Sequence, residues 1–233
     1  MKGYKDIFPK RHTFLAVVHV LSEAHAVKNT TLARENGADG VFLINHYLDP
    51  DELLRAYAAV RTKHPRWWIG LNILGPHPSD VLEMLPDTAD GLWTDSVPRQ
   101  GSSQAGRFEV NMAWKRNTWP GLYFGGVAFK GQPFVLDVKK AASDAVNIMD
   151  VITTSGERTG VPPDLKKIQR VKEGAGTHPV AIASGIGVDN VGQFLPYVDC
   201  FIVSSSLERE KDHLDRKKMR AFAERLTKAN TKQ

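Results

Sequence analysis

The sequence predicts an α/β fold of the (β/α)8 TIM-barrel class, and three observations carry that expectation. Eight short apolar runs recur along the 233 residues, each followed by a helix-sized stretch. The runs are near-continuous and do not alternate with polar residues, as strands covered on both faces require. No G-x-G-x-x-G follows the first run, which leaves a dinucleotide-binding open sheet without its sequence mark. One barrel domain over residues 1–233, closed by a C-terminal amphipathic helix, is the expected organisation: at 42% apolar content the chain can bury one substantial core.

The elements follow in order. FLAVVHV at 14–20 leads into SEAHAVKNTTLARENG, and GVFLIN at 40–45 leads into a helix opening after Asp49-Pro50. WWIGLNI at 67–73 precedes a short helix around PSDVLEML, and GLWTDS at 91–96 precedes a long loop enclosing a helix over 100–117. GLYFGGVAFK at 121–130 and IMDVITT at 148–154 are followed by DVKKAASDAVN and DLKKIQRVKEG. PVAIAS at 179–184 precedes VDNVGQFL, read as a short helix, and DCFIVSS at 199–205 precedes the terminal helix, with Leu214, Met219, Phe222 and Leu226 turned inward. Gly37, Pro65 and Pro120-Gly121 punctuate the units. No exact internal repeat is visible.

Composition narrows the function classes. The formal charge is +5, from 31 basic against 26 acidic residues, much of it in the mixed-charge tail at 211–233. That balance favours anionic ligands without specifying one. A nucleic-acid partner is not expected, because the five tryptophans are not interleaved with a basic stripe. Cys200 is the single cysteine, and no leader or transmembrane run is visible, so a reducing, cytoplasmic location is expected. The Trp-rich segments at 67–68 and 114–119 suit a core or the interface of a homo-oligomer equally.

In this fold the site is built at the carboxyl ends of the strands. The candidates there are His19 and Glu23, Asn45 and His46, Asn72, Asp95, Lys130, and the loops after the sixth, seventh and eighth strands. In TSGERTG, Gly156 and Gly160 open the backbone to an anion while Ser155 and Thr159 offer hydroxyls; in ASGIGVDN, Ser184, Gly185 and Gly187 lead toward a short helix. Ser204 and Ser205 complete a phosphate-binding pocket. Thr154 and Arg158 join Asn45 and Asn72 as substrate-binding candidates, Arg158 as a bidentate clamp. Asp95 with Lys130, and His19 beside them, are candidates for proton transfer. No metal site is expected, since His19, Glu23 and His25 match no zinc spacing; no cofactor is expected beyond Mg2+ arriving with a phosphorylated ligand.

With these residues in view, the chain resembles the BtpA/SgcQ family of barrels. The likeness is clearest in VITTSGERTGVPPDLKKIQRVKEG and HPVAIASGIGVDNVGQFLPYVDCFIVSSSLE, and extends through GADGVFLINHYLDP and IGLNIL. The family's glycine/threonine turn after strand six corresponds to Thr154, Gly156, Thr159 and Gly160, its SG-plus-N element after strand seven to Ser184, Gly185 and Asn190, its third-strand asparagine to Asn72 and its fifth-strand lysine to Lys130. Ile44-Asn45 departs where the family has an acidic residue, the GGVAF run lacks an expected aspartate, and Ser204-Ser205-Ser206 replaces a glycine-threonine turn. Its branches imply photosystem I assembly, sugar metabolism or a phosphoribosyltransferase-like activity. The resulting expectation is an isomerase- or epimerase-like enzyme on a small phosphorylated sugar or ribosyl compound; a non-catalytic assembly factor and a phosphoribosyltransferase-like enzyme are the alternatives.

Overall fold

The computed structural model describes residues 3–96 and 103–231. Eight parallel strands close into a barrel in chain order: β1 Thr13–His19, β2 Gly40–Ile44, β3 Trp68–Asn72, β4 Gly91–Thr94, β5 Leu122–Gly126, β6 Val151–Thr154, β7 Val180–Ile182 and β8 Cys200–Val203. Thr13 pairs with Cys200 and Ala16 with Val203, so the first strand meets the last and the barrel has no open edge. A short helix α1, Tyr4–Ile7, precedes β1. The connections carry α2 Glu23–Glu35, α3 Pro50–Lys63, α4 Pro78–Met84, α5 Ser103–Lys115, α6 Val138–Ala145 and α7 Leu165–Ala175, and α8 Arg216–Asn230 closes the chain.

Local chemistry sets the helix starts. The carboxylates of Asp49, Asp137, Asp164 and Asp215 accept backbone N–H bonds from Glu52, Lys140, Lys166 and Lys218. Each such cap is worth about 1 kcal/mol against alanine. Inside the barrel Leu15, Val17, Phe42, Trp68, Trp93, Phe124 and Ile202 form one packed cluster, and the helices cover a second. Trp68 occupies the space that side chains on three neighbouring strands would fill: a Cβ at Gly40, Gly70 or Gly91 would come within 2.8 Å of its ring. Trp68 and Trp119 are therefore core, while Trp114 on α5 stands exposed. No helix among the described residues is long and apolar enough to cross a membrane.

The starts of the strands share one device. Asp39, Asp90, Asp150 and Asp199 sit just before β2, β4, β6 and β8. Their carboxylates accept the backbone N–H of Phe14, Ile69, Tyr123 and Val180, at 2.9, 2.8, 2.6 and 3.0 Å. Each aspartate then donates its own N–H to the carbonyl of that same residue. Lys10, Arg61, Arg116 and Lys172 pair with the four carboxylates. Four reciprocal braces thus repeat around the end opposite the mouth.

Three elements differ from the sequence expectation. VDNVGQFL forms only one turn of 3-10 helix, Val191–Gln193. Gly192 lies inside it and Pro196 disfavours helical backbone at the residue before it, so a longer helix cannot propagate. The fifth strand stops at Gly126, because Ala128 takes a left-handed φ of 47° and turns the chain, leaving Lys130 in the loop. After β8 the chain makes a 3-10 turn, Ser205–Leu207, and a two-stranded hairpin, β9 Glu208–Glu210 with β10 His213–Leu214, before α8.

Candidate active site

A cavity of about 300 Å³ opens at the carboxyl ends of β1 and β8 and the loops after β5, β6 and β7. Its floor is Val17, Trp93 and Ile202, and its polar wall is His19, Lys130, Thr159, Ser184 and Ser204 to Ser206, with Gly160 and Gly185 between. A larger recess, about 1030 Å³, lies at the opposite end around Phe8, Trp67 and Trp68. Asp39, Arg61 and Asp90 there are engaged in the braces, so that end reads as structural, as the fold leads one to expect.

Lys130 is the cation of the mouth. Its N–H donates to the Ser155 hydroxyl at 2.8 Å, fixing the backbone, and its ammonium donates to Thr159 Oγ1 at 3.0 Å. Two of its three ammonium hydrogens stay available to a ligand. Underneath, Lys167 donates to the carbonyls of Ala128 and Ser155, tying the β5 and β6 loops together; burial lowers its pKa. Gln132 does the same between the β4 and β5 loops, donating to the carbonyls of Asp95 and Gly126. Neither residue carries a sequence signal that singles it out.

The β7 and β8 loops supply amides. Gly185 adopts a left-handed φ of 60° and a Cβ there would lie 2.2 Å from the Pro162 nitrogen, so the position demands glycine. Among the described residues, the N–H groups of Gly185 and Ile186 have no hydrogen-bond partner. The Gly187 N–H, expected to meet a phosphate, instead donates to Asn190 Oδ1 at 2.9 Å, and Asn190 donates back to the Gly185 carbonyl.

Most of the hydroxyls face the protein. Ser184 donates to the carbonyls of Arg158 and Val161, Ser204 meets the Val17 carbonyl and Glu208, and Ser206 donates to the Ile186 carbonyl at 2.5 Å. Ser205 Oγ has no such bond among the described residues. Ser155 is fully buried, with its hydroxyl donated to the Gly156 carbonyl, and a Cβ on Gly156 would strike the Val161 oxygen at 2.1 Å. Both shape the loop and do not line the cavity. Thr154 follows Ile152 on the outer, helix-covered face of β6; Thr153, in step with Val151, faces the interior.

The remaining candidates also move. Asn45 accepts the Leu74 N–H at 2.7 Å and donates to the carbonyls of Leu48 and Leu74, so both amide hydrogens and the oxygen brace two loops. The Arg158 side chain is exposed outside the cavity wall. Asn72, 1% exposed, donates to Asp95 Oδ1 at 3.1 Å. Asp95 lies behind the wall, where burial pushes its carboxyl above the usual range and Asn72 and Lys130 pull it partly back. Such a raised group favours the folded state at pH below its ordinary value and loses that contribution as pH rises through the raised one. Asp95→Asn, uncharged and isosteric, is expected to stabilise the protein at neutral pH by about 0.5–2 kcal/mol. Urea unfolding at neutral and acidic pH checks this: the gain should vanish in acid, and a loss at neutral pH would refute it.

His19 has a partner that no sequence spacing discloses. Its Nδ1 lies 2.7 Å from Asp212 Oδ1, at the tip of the β9–β10 hairpin. Burial raises the Asp212 carboxyl, but hydrogen bonds with His19 and Tyr47 outweigh this and leave it below the usual range. The His46 ring stands edge-on at 4.8 Å from that of His19. Glu23 joins neither group, and His25 turns away to the Asp212 carbonyl.

Residues 126–228 match the BtpA family. The BtpA match begins at the end of β5 and runs through most of α8, so it contains Lys130 and all of the β6, β7 and β8 loops. It agrees with the resemblance read from the glycine-rich loops. The photosystem I biogenesis protein BtpA of Synechocystis sp. is 34% identical over 91 residues, 37% of this chain and 32% of that protein. An uncharacterized protein of Thermococcus kodakarensis is 31% identical over 113 residues, 48% of this chain and 43% of that one. The matches span less than half the length of these curated relatives. Among solved structures, phosphoribosyl anthranilate isomerase from Thermus thermophilus superposes with a TM-score of 0.63 at 16% identity, covering 93% of this chain and 99% of that one. (S)-3-O-geranylgeranylglyceryl phosphate synthase from Thermoplasma acidophilum, in complex with sn-glycerol-1-phosphate, gives 0.67 at 16% identity over 98% and 100%. These likenesses establish the barrel.

Proposed function

We propose that the mouth binds a small phosphate ester of the sugar or ribosyl class, and that the protein is an isomerase- or epimerase-like enzyme moving a proton on it. The observation that carries this reading is the cavity itself: Lys130, Gly185 and Ile186 with their unpartnered amides, and Ser205 line a space sized for a phosphate and a few carbons. Two structural neighbours named for phosphorylated compounds share the barrel, which supports the reading. His19 faces the cavity with Asp212 fixing its ring, the arrangement of a general base held by a carboxylate. Asp95 supports Lys130 electrostatically from behind. Calorimetric titration with inorganic phosphate, glycerol phosphate and ribose 5-phosphate tests the proposal: saturable binding of at least one ester, competed by phosphate, is expected. Absence of binding across all three would refute it.

The second reading, a non-catalytic assembly factor, draws on the role for which the Synechocystis relative is named and on the hydroxyls spent on protein carbonyls. It predicts that Lys130→Ala leaves cellular function intact.

A further inference from the structure

We propose that His19, Glu208 and Asp212 hold one transition-metal dication, of the Zn2+ or Mn2+ kind, at the rim of the mouth. This goes beyond phosphate-ester binding and does not depend on it, though a bound ion would replace Asp212 as the group that fixes the His19 ring. One ligand atom from each of the three side chains lies within 4.8 Å of the other two. They come from separate parts of the chain, His19 from the end of β1 and the carboxylates from the β9–β10 hairpin. Around an ion with ligand bonds of about 2.0–2.2 Å, such atoms stand about 3.0–3.4 Å apart, so small side-chain movements suffice to close the set.

Charge points the same way. Two carboxylates this close repel each other unless a positive charge lies between them. Among the described residues the hydrogen-bond donors to the Glu208 carboxylate are neutral, the Ser204 hydroxyl at 2.7 Å and the Asp212 N–H at 3.1 Å. The nearby Lys218 ammonium goes to the Glu208 backbone carbonyl and not to the carboxylate. Lys211 lies over the Tyr47 ring at 5.3 Å, attracted by both Asp212 and Glu208, and among the described residues it forms an ion pair with neither. A dication held by the set would take the place of the His19–Asp212 hydrogen bond.

The backbone is bent to present this set. Asp212, 9% exposed, adopts a left-handed φ of 64°, a conformation that costs a non-glycine residue free energy and must be held by its surroundings. The Asp212 N–H bond to Glu208 and the His25 bond to the Asp212 carbonyl do so. The exposed His46 imidazole has no hydrogen-bond partner among the described residues and adjoins His19, where it can supply a fourth ligand. An imidazole with two carboxylates suits Zn2+ or Mn2+ better than the oxygen-seeking Mg2+ or Ca2+.

The test uses the full chain, stripped with a chelator and titrated separately with Zn2+ and Mn2+. One ion per chain is expected. His19→Ala, and the pair Glu208→Gln with Asp212→Asn, should each weaken binding at least tenfold. Asparagine tolerates the left-handed conformation, so the pair keeps the hairpin turn; if its thermal melt shows unfolding, Glu208→Gln alone supplies the reading. His213→Ala, a control outside the set, should leave binding unchanged. Failure of both metals to bind, or equal binding in the ligand variants, overturns the proposal. Titrating phosphate esters into the same variants keeps the result separate from that of the phosphate site.

Discussion

Lys130→Ala is expected to weaken binding of inorganic phosphate and phosphate esters by about 10- to 100-fold, the loss of a hydrogen bond between charged groups. The fold should not suffer. The ammonium makes one side-chain bond, to Thr159 Oγ1, and the backbone bond to Ser155 does not involve the side chain. A stability change within about 0.5 kcal/mol is therefore expected, as for a substitution outside the core. Calorimetry with the ester that binds the unaltered protein checks the first expectation and thermal melting the second. Unchanged affinity would move the anion away from the β5 loop; lost affinity with a lowered melting temperature would show Lys130 to be a structural group.

Gly185→Ala is expected to damage both stability and binding. The new Cβ would meet the Pro162 nitrogen at 2.2 Å and the Val161 carbonyl carbon at 2.3 Å, both backbone atoms of the β6 loop, and alanine is strained at a φ of 60°. Strain and overpacking together cost about 2–4 kcal/mol, which lowers the melting temperature by roughly 5–15 °C in a chain of this size. The β6 and β7 loops would part, carrying Thr159 away from Lys130. Ester affinity should fall with the melting temperature, and an unchanged melt would show that the loops part without strain. Gly160→Ala separates the two causes: it shares a positive φ, 79°, but nothing lies within 4 Å of where its Cβ would stand, so it should carry only the conformational cost.

The barrel was legible because strands buried on both faces leave unbroken apolar runs, and the residues ending them fall at the mouth by geometry alone. His19, Lys130, Ser184, Gly185, Ser204 and Ser205 stand out that way, and all line the cavity. Direction was not legible. Thr154 stands out over Thr153 in the sequence because a motif does not reveal which way its strand faces. Ser155 and Gly156 look available in a linear string, yet the loop folds over them once Val161 and Pro162 return. Asp212 is hidden because its contact with His19 spans 193 residues and depends on a two-strand hairpin too short to show a period. The aspartates before the even strands are visible, but their unequal spacing conceals the repeat.

Those braces join the strands two by two. Each ties an odd strand to the even strand after it, and among the described residues none crosses from β2 to β3, β4 to β5, β6 to β7 or β8 to β1. At the last of these boundaries the residue before β1 is tied to the end of α8, since the His12 N–H donates to the Asn230 side chain and Asn230 donates back to the His12 carbonyl. Four strand pairs thus each carry their own side-chain brace, while strand pairing runs unbroken from one pair to the next around the barrel. The end opposite the mouth is therefore secured at four separate places, one for each pair of strands, so that no single brace carries it alone.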